Sequence, residues 1–435
     1  MRASVMLYCQ HLAGIGHLVR TTELARALHA EGWDVLLVCG GNMPPNYTFP
    51  SGVMVERLEA LQSDPEYTAL AACAAGQSLD EVKTRRTKRL LALFDLFAPD
   101  ALITEMYPFG RKKFAFELLP LLERARKARP SPVIAASVRD ILVRKRDQAE
   151  HERRVLEIVN RYYDLVLVHS DELMQPLKAT YALAGDIRPA VIHTGYIVSE
   201  QQGPQADAVE AAAQEFVAEE LLGNEFILVS CGSGRLHAGQ RLIDAALESA
   251  FAVTRRFPHE ILICAGPLTP AAVFARYERM ASGRSRVHLV HDLPFLRNLL
   301  EHTALSVSLG GYNTVMEVLA SHAQALVFPA EPNGDDEQRI RVESLAAKGQ
   351  IRLLSEQDLI SGRFAERIEE ALRLPLAVVP QQMDGAGTSA QVLNRLYRAR
   401  RSEAAPAGAQ QGEIPVAEHR NEGAARSVKG QWLCA

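Results

Sequence analysis

The sequence predicts an α/β protein with two doubly wound, Rossmann-like domains in tandem that face each other across a cleft. Short, continuous apolar runs, which are typical of buried parallel strands, alternate with segments of helical periodicity along most of the 435 residues. The alternation stops at a stretch rich in Gln, Ala and Glu near residue 200 and then begins again. We therefore expect one domain at 1–198, a linker at 199–224 and a second domain at 225–380.

The first domain opens with a strand, a glycine loop, a helix and a second strand. The strands are predicted at Ser4–Cys9 and Val35–Cys39, and the helix at 18–30. A last helix is predicted from about Ser389 to Arg400, and the tail at 404–435 is expected to be disordered because it has few large apolar residues. Further strands are predicted at Ala101–Ile103, Val133–Ala136, Leu165–Val168, Ala190–Ile192, Phe226–Ser230, Ile261–Cys264, Val287–Val290, Leu305–Ser308 and Ala325–Phe328.

The composition is that of an ordinary globular protein. Hydrophobic residues make up 48% and charged residues 23%, and the net charge of −4 argues against a nucleic-acid partner. The six cysteines include no C-x-x-C pair, so we expect reduced thiols in a cytoplasmic protein. No run of eighteen apolar residues occurs that would predict a membrane span.

The first motif is the loop Gly14-Ile15-Gly16-His17, between the first strand and the first helix. Glycines there allow backbone N–H groups to approach an anion at a helix start, and His17 is a candidate general base. The third glycine of the dinucleotide fingerprint would fall at Val19, which argues against NAD. The alternative is that His17 is a structural residue that hydrogen-bonds to the backbone at the helix start.

The second motif, 308–317, follows a strand of the second domain and opens a helix. Gly310 and Gly311 form a second anion site, suited to a diphosphate, with Asn313 and Thr314 in the first helical turn. Glu317 is placed to accept hydrogen bonds from ribose hydroxyls. The alternative is that Thr314-x-x-Glu317 is a capping box that only starts the helix.

A third group of polar residues, 335–339, follows the strand that ends at Phe328. The carboxyl end of that strand would bring Gln338 and Arg339 to the same crevice. The loop around Ser233, between two glycines, follows the first strand of the second domain and is another phosphate candidate. No D-x-D or H-E-x-x-H motif occurs, so we predict no metal site.

In combination and order, these motifs resemble those of the GT-B nucleotide-sugar glycosyltransferases, in the branch around MurG, over roughly residues 4–400. The resemblance implies a glycosyltransferase that needs no metal and no cofactor, with a nucleotide sugar, here a UDP-sugar, as the substrate that donates a hexosyl or N-acetylhexosaminyl group. It implies that the segment 381–403 crosses back to the first domain. The first loop also resembles that of nucleotide-sugar hydrolases of the same fold. A nucleotide-sugar hydrolase or epimerase of this fold is therefore the alternative function, and a non-catalytic sensor is a third.

The resemblance also implies roles for particular residues. The second domain would bind the donor, with Gly310, Gly311 and Thr314 at the diphosphate and Glu317 at the ribose. Gln338 would contact the sugar, the backbone at Val290 would contact the base, and His17 would deprotonate or orient the acceptor hydroxyl. Arg339 stands where related sequences often carry a second glutamine, so the acceptor of MurG itself is not inferred. The remaining donor candidates are Gly14, Gly16, Ser233, Asn313 and Arg339.

The acceptor domain contains a strongly basic segment, 83–161, with 19 Lys and Arg against 10 Asp and Glu, a net charge of +9. Such a segment suits a phosphorylated or lipid-linked acceptor, or peripheral contact with an anionic membrane at its inner face. The alternative is that these residues are the solvated faces of surface helices. Four residues at or just past the ends of first-domain strands are candidate acceptor contacts, namely Glu105, Arg111, Arg139 and Asp140.

Overall fold

Two parallel β-sheets, both covered by helices, organise the chain. The computed structural model describes residues 2–12, 15–43, 47–63, 69–73, 76–199, 204–234, 236–331, 334–374, 376 and 382–404. Within these ranges the strands are β1 (Ser4–Cys9), β2 (Asp34–Cys39), β3 (Val53–Arg57), β4 (Leu61–Ser63), β5 (Leu70–Ala72), β6 (Ala101–Glu105), β7 (Val133–Arg139), β8 (Leu165–His169), β9 (Ala190–His193), β10 (Phe226–Ser230), β11 (Glu260–Cys264), β12 (Val287–Val290), β13 (Leu305–Leu309), β14 (Ala325–Phe328) and β15 (Arg352–Leu353).

The described helices cover both faces of the sheets. In chain order they are α1 (Gly16–Ala30), α2 (Leu79–Phe97), α3 (Ala115–Lys127), α4 (Gln148–Tyr162), α5 (Pro204–Glu219), α6 (His237–Arg256), α7 (Ala271–Ala281), α8 (Tyr312–Ser321), α9 (Glu337–Ala347), α10 (Ser361–Arg373) and α11 (Gly385–Ala404). Within the part of the chain that the structure describes, no helix is both long and apolar enough to cross a bilayer.

The first sheet has seven parallel strands in the order β3-β2-β1-β6-β7-β8-β9. The order reverses between β1 and β6, so the carboxyl ends of these two strands flank the crevice where doubly wound sheets bind ligands. Strand β1 is central, and its residues from Val5 to Cys9 are completely buried because helices cover both faces.

The second sheet repeats this topology with six parallel strands in the order β12-β11-β10-β13-β14-β15. Its reversal lies between β10 and β13, and β13 leads directly into the turn before α8. The prediction of an α/β fold with two parallel-sheet, Rossmann-like domains is therefore confirmed. The residue limits predicted for the domains and the linker stay predictions.

Several short strands were not predicted from the sequence. Strand β3 lies at the edge of the first sheet with partly exposed side chains, so it lacks the continuous apolar run that marks its neighbours. Strands β4 and β5 form a separate antiparallel pair of three residues each, and β15 has two residues. Elements this short contribute few positions to any sequence pattern.

The last helix packs on the first sheet's side of the molecule. Ala386, Ala390 and Leu393 of α11 are buried in the same core cluster as residues of β1, α1 and β2. The ring of Tyr397 lies 5.1 Å from that of Trp33, between their centroids. The compact unit that contains both sheets extends to Tyr397. The tail predicted to be disordered lies, beyond residue 404, outside the described residues.

Candidate active site

His17 lies in the first turn of α1, directly after the loop that follows β1. Its side chain is 19% exposed, and its Nδ1 lies 3.0 Å from Oε1 of Glu105, the last residue of β6. These two strands are neighbours at the reversal of strand order, which is why residues 88 positions apart meet. Gly14, which was also predicted to contact the donor from this loop, lies outside the described residues.

The carboxylate of Glu105 is buried, with 1% of the residue exposed, and it accepts hydrogen bonds from three side chains. Arg20 Nη2 and His17 Nδ1 meet Oε1, and Ser137 Oγ donates to Oε2 at 2.5 Å. Burial opposes the charged form, but Arg20, together with the hydrogen bonds from His17 and Ser137, outweighs it and holds the pKa of Glu105 well below its usual range. Glu105 is therefore ionised.

A line of hydrogen bonds continues from Glu105 across the ends of neighbouring strands. Ser137 Oγ lies 2.8 Å from His169 Nε2, and His169 Nδ1 lies 2.9 Å from the Thr194 hydroxyl. Burial lowers the pKa of His169 to about 3, so its ring is neutral and carries one N–H. Since the Ser137 proton goes to the carboxylate, that N–H is assigned to Nε2, and Thr194 donates to Nδ1.

This network fixes the tautomer of His17. The ionised carboxylate of Glu105 accepts the N–H of Nδ1, which leaves Nε2 of His17 with a free lone pair. Arg20 Nη2 also lies 3.1 Å from Nδ1, but its short contact with Glu105 shows where it donates. Burial and the positive charge of Arg111 lower the pKa of His17 to about 3, against the opposing effect of Glu105. His17 is therefore neutral at neutral pH, with its single proton on Nδ1, and burial explains why Nε2 carries no second proton.

In the second half, β13 ends at Leu309 and α8 begins at Tyr312, so Gly310 and Gly311 form the turn between them. Gly311 is the N-cap residue, and within the described part of the chain no side chain caps the helix. The first N–H groups of α8 are therefore free of side-chain acceptors and suit an anion. The capping-box alternative is wrong, because the helix starts at Tyr312 and Glu317 lies in its second turn.

The starts of α1 and α8 meet across the cleft. A methyl group on Gly16 would lie 3.5 Å from Nδ2 of Asn313. The Tyr312 hydroxyl accepts the backbone N–H of Ile197 at 3.1 Å and donates to the carbonyl of His169 at 3.3 Å. The start of α8, which carries partial positive charge, therefore lies beside the start of α1, whose first turn contains His17.

Glu317 lies beside a small cavity of about 10 Å³ between α1 and α8, which Asn313 also lines. Burial raises the pKa of Glu317 to about 7, and Arg297 offsets this only in part. Within the described residues, no donor hydrogen-bonds to its carboxylate. Thr314, one turn earlier in the helix, is partly exposed. The carboxylate is thus available to hydroxyl donors of a ligand.

Gln338 lies next to the glycine turn. Its Cβ would be 3.3 Å from a methyl group on Gly310, and its Oε1 accepts the backbone N–H of Ala330 at 3.0 Å. The residue is in the first turn of α9, which begins at Glu337. The structure therefore brings the second and third sequence motifs together, as the crevice rule predicts.

Arg139 and Asp140 do not point into an open acceptor site. Arg341 of α9 binds both carboxylate oxygens of Asp140, at 2.7 and 2.8 Å, and Asp140 is only 1% exposed. Arg139 pairs with Glu337 at 2.6 Å, and Arg341 also pairs with Glu337 at 2.7 Å. The carboxyl end of β7 thus helps to hold the two halves together, and the acceptor contacts expected of Arg139 and Asp140 stay a prediction.

Glu337 is the shared acceptor of these pairs. Burial opposes its ionisation, but Arg139 and then Arg341 outweigh it and lower the pKa of Glu337 to about 2. Glu105, another acceptor candidate, is likewise occupied by its contact with His17 and Arg20. It fixes the orientation of the imidazole, and its contact with an acceptor stays a prediction.

The remaining donor candidates differ in placement. Arg339 projects to the surface, where it is 41% exposed and pairs with Glu331, Asp336 and Glu343, so its side chain faces away from the glycine turn. Val290 ends β12, and its carbonyl accepts the N–H of Ala265 at 3.0 Å. Ser233 lies in the loop after β10, and its carbonyl accepts the N–H of Leu268 at 2.9 Å.

Several residues of this site were not predicted. They are Arg20, Ser137, His169 and Arg341. All four are polar residues that are buried in the structure, and their residue types alone do not single them out in the sequence. Ser137 and His169 do stand at the ends of predicted strands, which is a signal that the crevice rule could have used. Among the described residues, no group of three or more His, Cys, Asp or Glu is arranged to hold a metal ion.

Part of the chain matches a known protein family, and its fold is similar to those of solved structures. Residues 226–395, less than half of the chain, match the model of the glycosyltransferase family 28 C-terminal domain. UGT2 of Phytolacca americana, solved with UDP-2-fluoro-glucose and pterostilbene, has a TM-score of 0.54 at 16% identity, over 91% of this chain and 94% of that one. The UDP-GlcNAc 2-epimerase of Methanocaldococcus jannaschii has a TM-score of 0.58 at 12% identity, over 91% and 100%.

A UDP-glucosyltransferase from Polygonum tinctorium gives a TM-score of 0.53 at 13% identity, over 94% of this chain and 96% of that one. No curated protein matches the sequence. At these identities the structural likeness shows the fold alone. The chain has the GT-B fold, and its second half carries the match to a glycosyltransferase domain.

Proposed function

We propose that the protein is a glycosyltransferase that moves a hexosyl or N-acetylhexosaminyl group from a nucleotide-diphosphate sugar, a UDP-sugar, to an acceptor hydroxyl without a metal ion. The observation that carries the proposal is the position of the His17 base, held by Glu105, opposite the uncapped start of α8. The match of residues 226–395 to a glycosyltransferase domain supports it.

The donor would bind mainly to the second half. Its diphosphate would lie against Gly310, Gly311 and Thr314, where the free N–H groups of α8 supply hydrogen bonds and a partial positive charge. Glu317 would accept the ribose hydroxyls, and Gln338 would contact the sugar. The same N–H groups would stabilise the charge that develops on the leaving diphosphate, without help from a cation.

The reaction would proceed at the anomeric carbon between the two helix starts. Nε2 of His17 takes the proton of the acceptor hydroxyl, whose oxygen forms the new bond to that carbon. The bond from the carbon to the diphosphate oxygen breaks, and the nucleoside diphosphate leaves with the electron pair. Glu105, whose carboxylate is already ionised, stabilises the imidazolium that forms and acts as a positioning residue.

The decisive experiment measures donor turnover with labelled UDP-sugars and a cell extract as the source of acceptor. We expect His17→Ala to keep the affinity for UDP and to lower kcat by roughly 10²-fold or more, because only the proton transfer is lost. His302→Ala, which removes an imidazole paired with Glu210 in the second half, is the matched control. Equal turnover in wild type and His17→Ala would remove His17 from the mechanism.

A thermal-shift screen of nucleotides and nucleotide sugars, with and without EDTA, tests the donor class and the need for a metal. Stabilisation by UDP-sugars that EDTA leaves unchanged is the expected result. Rapid conversion of donor in the absence of acceptor, to free sugar or to an isomeric sugar, would assign the hydrolase or epimerase alternative. Binding without turnover under any condition would assign a sensor.

A further inference from the structure

A cavity of about 470 Å³ lies in the first half of the molecule, beside the starts of α3 and α4. It is distinct from the space between the two helix starts that the donor would occupy. Leu12 and Phe114 contribute apolar surface to its wall. Its charged lining consists of five cationic side chains and two carboxylates, namely Arg111, Lys112, Lys113, Lys145, Arg154, Asp147 and Glu150.

Most of these cations have no partner of opposite charge among the residues that the structure describes. Arg111, Lys112, Lys145 and Arg154 form no ion pair with any carboxylate of the described residues. The Nε of Arg111 is buried without a hydrogen-bond partner, and burial lowers the pKa of this guanidinium. Like charges gathered around one space repel each other, and an unsatisfied buried donor is costly. Both costs fall when an anion enters.

The basic residues of α2, at the start of the segment 83–161, differ from those around the cavity in their ion pairs. On α2, Arg85 pairs with Glu59 at 2.8 Å, and Arg89 pairs with Glu56 at 2.9 Å. Arg86 is fully buried and binds Glu117 at 2.6 Å. Three arginines of α2 are therefore paired with carboxylates, whereas Arg111, Lys112, Lys145 and Arg154 around the cavity have no such pair among the described residues.

One cation of the cavity is held in place by a neutral histidine. His151 Nε2 donates to the carbonyl of Phe109 at 3.2 Å, so its Nδ1 accepts from Arg154 Nη2 at 3.1 Å. Burial lowers the pKa of His151, which keeps the ring neutral. Asp147 accepts the N–H of Glu150 at 3.2 Å as the cap of α4, so one of the two carboxylates has a structural role.

The cavity lies in the same half of the protein as His17. Arg111 lines the cavity, and after burial its charge is the largest influence that lowers the pKa of His17. Leu12, which also lines the cavity, precedes His17 by five residues in the sequence. A molecule bound in the cavity therefore lies against a charge that acts on the imidazole.

We propose that this cavity binds a phosphate group of the acceptor, so that the enzyme glycosylates a phosphorylated molecule. The inference rests on the proposed glycosyltransferase function. A phosphate carries up to two negative charges and several acceptor oxygens, which matches two guanidinium groups and three ammonium groups better than a neutral sugar or a single carboxylate does. The cavity volume is also large enough for a phosphate together with part of the molecule that bears it.

The test is calorimetric titration of inorganic phosphate into the full-length protein with saturating UDP and constant ionic strength. The variant Lys112→Gln/Lys145→Gln removes two exposed cations of the cavity, so it should fold normally. The control Lys88→Gln/Lys127→Gln removes two exposed cations of α2 and α3 that do not line the cavity. We expect phosphate affinity to fall by roughly tenfold or more in the first variant and to stay unchanged in the control.

Equal phosphate affinity in the two double variants, or no phosphate binding by the wild type, would overturn the proposal. If Gly311→Ala removed phosphate binding and Lys112→Gln/Lys145→Gln kept it, the anion would bind at the donor site. This outcome would also overturn the proposal. UDP affinity is measured in the same samples, so a failure of the donor assignment is seen separately and leaves the phosphate comparison intact.

The source of the phosphate is resolved by vesicles of phosphatidic acid in phosphatidylcholine. If the phosphate is borne by a lipid, wild type should sediment with these vesicles, and Lys112→Gln/Lys145→Gln should not. If the acceptor is a soluble phosphate ester, wild type should bind inorganic phosphate but stay in the supernatant. Sedimentation of both double variants alike would assign membrane contact to another surface and count against the cavity.

Discussion

Neighbouring charges set the carboxylates of the site to different protonation states. Arginines hold Glu105 and Glu337 ionised despite their burial, and the pKa of Glu337 is about 2. Glu317 has only Arg297 to offset its burial, and its pKa is about 7. Of these three groups, Glu317 is therefore the one that changes charge near neutral pH.

This difference predicts how donor binding depends on pH. The ribose hydroxyls are donors, so they bind best to ionised Glu317, and UDP affinity should fall as pH drops from 8 to 6. We expect Glu317→Gln to bind UDP more weakly at pH 8, by roughly tenfold, and to lose this pH dependence. Calorimetric titration of UDP at several pH values measures both effects.

The same group has an opposite effect on stability. Its pKa is higher in the folded protein than in the unfolded chain, so the folded state binds more protons, and stability is lost as pH rises from about 4.5 to about 7. Glu317→Gln should remove this loss and gain roughly 1–3 kcal/mol at pH 8. A fold that is less stable at pH 8 in this variant would show that the carboxylate is structurally required.

Some roles of single residues were accessible from sequence and others were not. His17 was predicted because a glycine loop and a helix start surround it within a few positions. Glu105 was predicted to lie at the crevice, but its contact with His17 was not predicted, because the two residues are 88 positions apart and only strand adjacency brings them together. Pairing of this kind depends on sheet order, which no local pattern contains.

At the scale of elements, the turn from β13 to α8 shows two glycines with different functions. A methyl group on Gly310 would lie 2.6 Å from Cγ2 of Val342 in α9, so Gly310 allows these helices to pack. A methyl group on Gly311 would meet nothing within 4 Å, and its φ of −62° suits any residue. Gly310 is thus required by the fold, and Gly311 is open to a ligand.

This pair gives a matched test of the donor site. Gly310→Ala should lower the free energy of unfolding by roughly 1–3 kcal/mol through overpacking. Gly311→Ala should change it by less than about 1 kcal/mol, yet weaken UDP binding by roughly tenfold or more, because the methyl group would stand where the diphosphate approaches the backbone. Urea unfolding and UDP titration of both variants distinguish these effects. Unaltered UDP affinity in Gly311→Ala would argue against the diphosphate assignment.

The elements themselves were predictable where burial is complete. The central strands of both sheets have continuous apolar runs because helices cover both faces, and each was predicted within two or three residues of its observed ends. Strand β3 was not, because an edge position leaves its side chains partly in solvent. The start of α1 was placed two residues late, since Gly16 and His17 carry no apolar signal although they are helical.

At the scale of the whole molecule, a cluster of buried charges joins the two halves. Arg341 from the second half binds Asp140 of the first half with two hydrogen bonds, and both side chains are 2% exposed. Arg341 also donates to the carbonyl of Gly310 at 3.0 Å, so the link between the halves touches the glycine turn directly. The relative position of the glycine turn and His17 therefore depends on this cluster.

Asp140→Asn should destabilise the protein because it leaves the buried Arg341 with one carboxylate instead of two. We expect the free energy of unfolding to fall by about 3 kcal/mol, whereas Arg339→Met, on the same helix but paired at the surface, should change it by about 0.5 kcal/mol or less. Urea unfolding measures both. If both variants changed the free energy of unfolding by the same small amount, the cluster would contribute little to holding the two halves together.

The cluster was beyond sequence analysis because its members are about 200 residues apart. The sequence did place Arg139 and Asp140 at the crevice, which is where they lie. It could not show that the opposite side of the crevice supplies charges to neutralise them. The presence of two similar domains in tandem was predictable from the sequence, because each half contains its own complete set of buried strands.

The return of α11 to the first sheet has a consequence for synthesis of the chain on the ribosome. The surface formed by Leu28, Trp33 and their neighbours is completed by Ala390 and Leu393, which are made more than 350 residues later. Until then that apolar surface has no permanent cover, although the strands of the first sheet are already available to pair. The half that is translated first therefore completes its packing last. Its apolar surface must be shielded during the whole synthesis of the second half.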